Sequence, residues 1–213
     1  MVELWMQTYT GIVFNPVDPR EEDVRLADIG HALANICRFN GHCRKFYSVA
    51  QHSLFVAELL MDTRLILNVN SASQGKAFCA ALLHDAAEAY LGDIIRPLKP
   101  VFDGFKVTES HLLRCIHRAF GLIVSTDVES TIKHCDAVAL ATEARDLMGP
   151  PPRSWESLVE PSPTRIRPLP PKIAEDAWLK AWDSGIRVQQ EGATEWSNKT
   201  YISARASGPS CRQ

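Results

Sequence analysis

The sequence predicts an all-α fold, and three observations carry that expectation. Apolar residues recur at helical spacing over about six stretches, alternation of the strand type is nearly absent, and glycine or proline stands where each stripe stops. At 213 residues the chain can bury a sizeable core as one domain. A composition of 46% hydrophobic and 23% charged residues is that of a globular protein. The expected organisation is a helical bundle over residues 1–187 with a polar, mobile tail over 188–213.

Residues 1–20, with Gly11, Pro16 and Pro19, read as extended or turn structure. A first helix is expected from Glu21 or Ala27 to Arg38, striped by Leu26, Ile29, Leu33 and Ile36 and stopped by Asn40-Gly41. Ser48 is placed to N-cap a second, which buries Val49, Phe55, Val56, Leu59 and Leu60. After a polar connector over 62–74, a third is expected from Gly75 to Leu91, ended by Gly92. Pro97 and Pro100 exclude a regular helix interior over 94–100.

A fourth helix runs from Phe105 to Phe120 and stops at Gly121. A fifth starts at Ser125-Thr126-Asp127, with Glu129 as capping partner, and continues to Leu147. Its spacing puts Asp136, Ala139, Leu140, Glu143 and Leu147 on one face. The proline-rich stretch 150–170 should cross the surface as an irregular strap. A last helix from Pro171 to Trp182, ending by Gly185, turns Ile173, Ala177, Trp178 and Ala181 to the core.

Composition also excludes function classes. A net charge of −2 leaves no basic footprint for duplex nucleic acid. No apolar run approaches the ~18 residues of a membrane span, and MVELWMQTYT lacks the basic-then-apolar order of a secretory leader. The six cysteines form no CxxC pair, so reduced thiols in a cytoplasmic protein are expected. No Walker or GxGxxG pattern is present.

The chemistry concentrates in His84–Ile94, HDAAEAYLGDI. An adjacent His84-Asp85 pair, with Glu88 four residues on, allows one helix to supply two metal ligands and a base. His52 in SVAQHSLFVAELL and Asp136 in TIKHCDAVALATEARDL lie in other apolar helical patterns. By itself His52 reads more readily as a satisfied core histidine than as a ligand. Buried Asp85 and Asp136 are different, because a buried carboxylate needs a cation and HDAAEAYLGD contains no Arg or Lys.

Two neutral imidazoles and two carboxylates balance one divalent ion and leave coordination positions open, the arrangement of a catalytic site. In such a site a divalent ion supplies acidified water and a polarised phosphoryl oxygen. Glu88 is placed to move a proton; its bland alternative is a solvated helix carboxylate.

The set His52, His84-Asp85 and Asp136, with Glu88 and Asp93, resembles the HD-domain metal-dependent phosphohydrolases. GHALANICRFNGH, FYSVAQHS and ALLHDAAEAYLGDIIRPLK resemble the branch containing bacterial 5′-deoxynucleotidases and phage dATP triphosphohydrolases. The resemblance covers residues 8–147, and IRPLPPKIAEDAW is similar to the branch's closing helix. It implies an all-helical phosphohydrolase with His52, His84, Asp85 and Asp136 as ligands of one divalent ion, whether Mn, Co, Zn, Mg or Fe.

The same resemblance implies that Glu88 is the catalytic carboxylate and Asp93 a second acidic residue touching substrate or attacking water. Arg38 matches an arginine that holds phosphate, as a bidentate guanidinium can. Without the resemblance it reads as a surface arginine at a helix C-terminus. Phe39 matches an aromatic that packs on the nucleoside, and otherwise reads as core. Lys99 is placed to neutralise phosphate, with Arg96 as the exposed, solvated alternative.

The expected substrate is a small-molecule deoxynucleotide, cleaved at its 5′ ester by an enzyme of bacterial or phage-infected cytoplasm that forms homo-oligomers. The competing expectations are a metal-stapled, non-catalytic binding module and a hydrolase of alarmones or cyclic dinucleotides.

Overall fold

In a computed structural model, which describes residues 4–63, 66, 68–153, 155 and 159–191, the chain begins with a short hairpin. Strands β1 (Met6–Gln7) and β2 (Val13–Phe14) pair antiparallel, with Gly11 at φ +87° in the turn. Phe14 is fully buried and stacks on Tyr90 with ring centroids 4.0 Å apart. Thr10 ties the turn down by donating from its amide and hydroxyl to the Asp28 carboxylate, at 2.6 and 2.9 Å. These two residues per strand are a local clasp, and the architecture is otherwise helical as expected.

Helix α1 (Leu26–Asn35) stops short of the expected Arg38. Ile36 and Cys37 are extended, because Arg38 N donates to Tyr47 O at 2.9 Å and Val49 N to Ile36 O at 3.1 Å. That pairing replaces the next helical turn. Residues Arg38–Gly41 then turn tightly, with Phe39 and Asn40 both at positive φ, +56° and +50°. The reversal carries Arg38 inward instead of leaving it at a helix end.

Helix α2 (Val49–Met61) starts at the Ser48 cap, whose side chain accepts from Gln51 N. Every residue from Val49 to Ala57 is buried, so α2 is the central rod. Helix α3 (Ser71–Leu82) begins a turn before the expected Gly75, because Asn70 caps it by accepting from Ser73 N at 2.9 Å.

The expected continuous helix from Gly75 to Leu91 does not form. At Leu83 the backbone tightens to bonds three residues back: Ala86 N to Leu83 O and Glu88 N to Asp85 O, both 2.9 Å. HDAA is therefore a turn, followed by the single-turn helix α4 (Glu88–Leu91) and Gly92 at φ +80°. His84 and Asp85 come from a turn, so two helices and a turn, not three helices, present the predicted ligand set.

Helices α5 (Phe105–Ala119) and α6 (Thr126–Leu147) follow the expected bounds closely, and Ser125 caps α6 through Val128 N. Helix α7 (Pro171–Glu191) overruns its expected end at Gly185. Gly185 is a packing glycine: a Cβ there would meet Cys79 Sγ at 2.6 Å, and one on Gly75 would meet Gly185 O at 2.6 Å. Absent side chains on both helices let α3 and α7 approach closely, and the helix continues to place Val188 in the core. The expected tail falls mostly on 192–213, outside the described residues.

α2 packs against α1, α3, α6 and α7. The strap is irregular, as expected, and is pinned by side chains. Gln51 donates to Arg167 O and accepts from Leu169 N, both at 2.8 Å. Arg145 donates to Ser162 O and Thr164 O, and Asp146 accepts from Arg165 and Ile166 N. No described helix is long and apolar enough to cross a membrane.

Candidate metal centre and its pocket

α2 carries His52 into the core, where it is fully buried. Its Nδ1 lies 2.6 Å from Glu143 Oε1 on α6. A carboxylate can only accept, so the network puts the proton on Nδ1. His84 Nδ1 likewise donates to Ala81 O, at 2.8 Å. With Nδ1 committed in this way, each ring turns its Nε2 toward the same corner, and these two atoms stand 3.3 Å apart.

Two carboxylates join them. Asp136 Oδ1 is 3.3 Å from His52 Nε2, and Asp85 Oδ2 is 3.5 Å from His52 Nε2 and 3.2 Å from His84 Nε2. Ligand atoms from His52, His84 and Asp136 all lie within 4.8 Å of one another. Ring nitrogens and carboxylate oxygens thus face one another, with Asp85 beside the two histidines but outside that three-residue cluster, and a cation resolves the arrangement.

The electrostatics agree. Burial and the Arg38 charge oppose protonation of His52, yet Glu143 and the bonds to Asp136 and Asp85 outweigh them and hold its pKa well above the ordinary imidazole value. Burial raises Asp136, but the His52 bond and the charges of both histidines overcome it and bring the carboxyl to about 2. Asp85 is likewise held well below its usual range: burial is outweighed by His84 and His52. The corner attracts positive charge, and a divalent ion meets that demand for all four groups together.

Glu88 behaves differently. It is 4% exposed and its Oε2 has no hydrogen-bond partner among the described residues. Burial, then the carboxylates of Asp85 and Asp93, push its pKa up to about 9 against Arg38 and Lys99. It is therefore the carboxyl of this group that keeps a proton at neutral pH, the division of labour that acid–base chemistry needs. Asp93 is raised as well, by burial first and Asp85 next, with Arg38 opposing.

Arg38 is not at the surface: its side chain is 11% exposed, and Nη2 donates to Glu143 Oε2 at 3.1 Å. Nη1 is 3.9 Å from both Asp85 Oδ2 and Asp93 Oδ2. The expectation of no cation near the buried carboxylates is corrected twice over, since Arg96 also bonds Asp136 Oδ2 at 2.6 Å. Both lie outside HDAAEAYLGD, in the chain before and after it. Lys99 lies 2.8 Å from Glu109 and 3.7 Å from Glu88, so it is tied to carboxylates and not a loose loop cation.

A cavity of about 700 Å³ opens beside this corner. Asp85, Glu88, Asp93, Asp136, Arg38 and Lys99 give it a charged floor, while Phe39, Ile94, Ile95, Leu140, Met148 and Trp155 give it an apolar wall. Phe39 meets Trp155 edge-on at 6.2 Å, so the strap reaches the cavity. All nine predicted site residues thus gather in one region.

Sequence reasoning assigned no part to Glu143, although it placed the residue on the face of Asp136. The signal was there: a carboxylate two helical turns beyond Asp136, set between Thr142 and Ala144 on the apolar face, is a residue that needs a buried partner. Trp155 gave no signal, because nothing local tells which way a proline-rich strap turns a side chain.

Fold and site together define an all-helical protein with a His–Asp cluster that could hold a metal ion beside a cavity. Residues 49–154 match the HD domain, a span that takes in His52, His84, Asp85, Glu88, Asp93, Lys99 and Asp136. The chain is 38% identical over 145 residues to the uncharacterised protein YfdR of Escherichia coli K12, covering 67% of this chain and 72% of that one. It is 34% identical over 154 residues to an uncharacterised protein of Rhodobacter capsulatus, covering 70% and 76%. The chain belongs to the HD-domain family. HD domains are in general metal-dependent hydrolases, and the His52–His84–Asp136 cluster fits that chemistry.

Proposed function

We propose that the protein is a metal-dependent phosphohydrolase that cleaves the 5′ phosphate ester of a deoxynucleotide and releases the deoxynucleoside. The observation that carries this reading is the cluster of His52, His84 and Asp136 ligand atoms, with Asp85 Oδ2 beside both histidines, next to a cavity lined by charged and aromatic side chains. A ligand suited to that cavity has an anionic end and a flat apolar end, and about 700 Å³ is ample for a nucleotide.

When bound, the divalent ion supplies Lewis acidity toward a phosphoryl oxygen and a nucleophilic water. The chain's own residues do the rest. Arg38, preorganised by Glu143, offers its guanidinium to the phosphate. Glu88, protonated at neutral pH, gives its proton to the leaving 5′ oxygen. Asp93, 3.9 Å from Arg38 Nη1, orients the incoming water. Lys99 and Arg96 offset the charge of further phosphates at the mouth, and Phe39 with Trp155 excludes water from the nucleoside. The catalytic unit is taken as one domain, running from the hairpin through α7. A homo-oligomeric, cytoplasmic enzyme of nucleotide pools, in bacterium or phage, is part of the same proposal.

The test is a product assay. Purified protein is offered deoxynucleoside mono- and triphosphates with Mn²⁺, Co²⁺, Mg²⁺ or Zn²⁺, and deoxynucleoside release is expected together with phosphate or triphosphate. Absence of nucleoside with every metal and every substrate would reject the reading.

A further inference from the structure

Glu143 is fully buried and each of its oxygens is committed to a different residue of the site. Oε1 accepts from His52 Nδ1 at 2.6 Å, and Oε2 accepts from Arg38 Nη2 at 3.1 Å. Resting on the metal-site reading above, we propose that Glu143 is a positioning residue: one carboxylate fixes both the tautomer of His52 and the plane of the Arg38 guanidinium, coupling cation binding to phosphate binding.

The comparison with His84 shows what is special here. His84 is oriented by Ala81 O in its own turn, a neutral acceptor that touches nothing else in the site. His52 could have been served in the same way. Instead it uses a charged side chain from another helix, which strengthens the bond and makes the imidazole a better donor toward a cation. The second oxygen then has work that a carbonyl could not do. Arg38 carries carboxylates at 3.9 Å on one side, from Asp85 and Asp93, too far for strong hydrogen bonds. Among the described residues, Glu143 alone accepts a side-chain hydrogen bond from it, at 3.1 Å, and so sets its direction.

Asp136 and Glu143 also share α6, seven residues or ~10 Å apart along the axis. One rigid rod therefore places a metal-facing carboxylate at one level and the strut behind His52 and Arg38 at another. A shift of that rod moves all of them together.

The deciding variant is Glu143→Gln, of equal size. An amide presents one acceptor and one donor, so it can serve His52 or Arg38 but not both. Mn²⁺ affinity is read by isothermal titration, inorganic phosphate affinity of the metal-free protein by equilibrium dialysis, and folding by circular dichroism and thermal melting. The expected result is a 10–100-fold weaker Mn²⁺ dissociation constant and about tenfold weaker phosphate binding in a protein that remains folded. Glu143→Asp, which keeps the charge but not the reach, is expected to fall between wild type and Gln, and replaces Gln as the deciding variant if Gln fails to fold. A purely structural role would lower the melting temperature and leave both constants at wild-type values; that result overturns the proposal. Wild-type protein that takes up no metal would overturn the metal-site reading and this inference with it, whereas wild-type and variant proteins that bind Mn²⁺ and phosphate equally would overturn this inference alone.

Discussion

The contact between α3 and α7 and the corner between α2 and α6 are both buried helix junctions, and they are built on opposite terms. At the first, Gly75, Gly185 and Cys79 bring backbones so close that a single added Cβ would lie 2.6 Å from its neighbour. That junction is held by close packing of backbone on backbone. At the second, four acceptor atoms from His52, His84, Asp85 and Asp136 crowd together, Glu88 keeps an unpartnered buried oxygen, and a cavity stands alongside. The first junction stabilises the bundle; the second spends part of that stability to hold a site that only a cation completes. A scaffold rigid at α3–α7 is what allows the polar corner to keep its geometry.

Breaking the polar corner should give the largest effect. Asp136→Ala or Asp85→Ala is expected to abolish metal uptake by elemental analysis and to remove phosphohydrolase activity, and to lower the melting temperature of the metal-free protein, because each carboxylate is held below its usual range by the histidines beside it and its loss leaves His52 and, at Asp136, Arg96 without that partner. Normal metal content in either variant would reject the ligand assignment. Glu88→Gln should cut kcat by about 10²–10⁴-fold while the metal content stays at the wild-type level. Turnover near wild type would show that Glu88 moves no proton.

The packed junction should answer in the opposite currency of measurement. Gly75→Ala forces backbone atoms of Gly185 and Gln189 apart. It is expected to destabilise by about 1–3 kcal/mol, lowering the melting temperature by roughly 2–10 °C, without changing Mn²⁺ affinity. Gly185→Ala should be milder, since the atom it meets is a cysteine sulfur that can rotate away.

The smallest effect is expected at the strap. The Arg145 bond, assisted by Ile166 N and Arg165, holds the Asp146 carboxyl below the usual carboxylate range. A depressed folded pKa stabilises the clasp above the unfolded value of about 3.9, and that contribution is lost as the pH falls below it. Strap cleavage by pepsin should therefore rise as the pH drops through the range below about 4. Asp146→Asn should make the strap cleavable at higher pH and lower the melting temperature by about 2–4 °C.

How much of this was legible depends on whether the signal was local. The caps at Ser48 and Ser125 and the apolar stripes placed α2, α5 and α6 nearly to the residue, since capping and periodicity act within one or two turns. Gly185 was misread as a helix end because glycine has two uses, and only the partner helix shows which one applies. The turn at HDAA was invisible for a related reason: its sequence favours helix, and tertiary placement of His84 and Asp85 overrides the propensity.

By itself the sequence determined that the protein is all-α and singled out His52, His84, Asp85, Glu88 and Asp136 by residue type and spacing; the structure buries His52 and Glu88 and leaves Asp85 and Asp136 about one-fifth exposed. Only the tertiary structure decided that Glu143 joins His52 to Arg38, that Arg96 reaches Asp136, and that Trp155 faces Phe39. Each of these pairs is separated by at least 40 residues along the chain. Contacts that distant are fixed by how the rods pack and not by any neighbour in sequence.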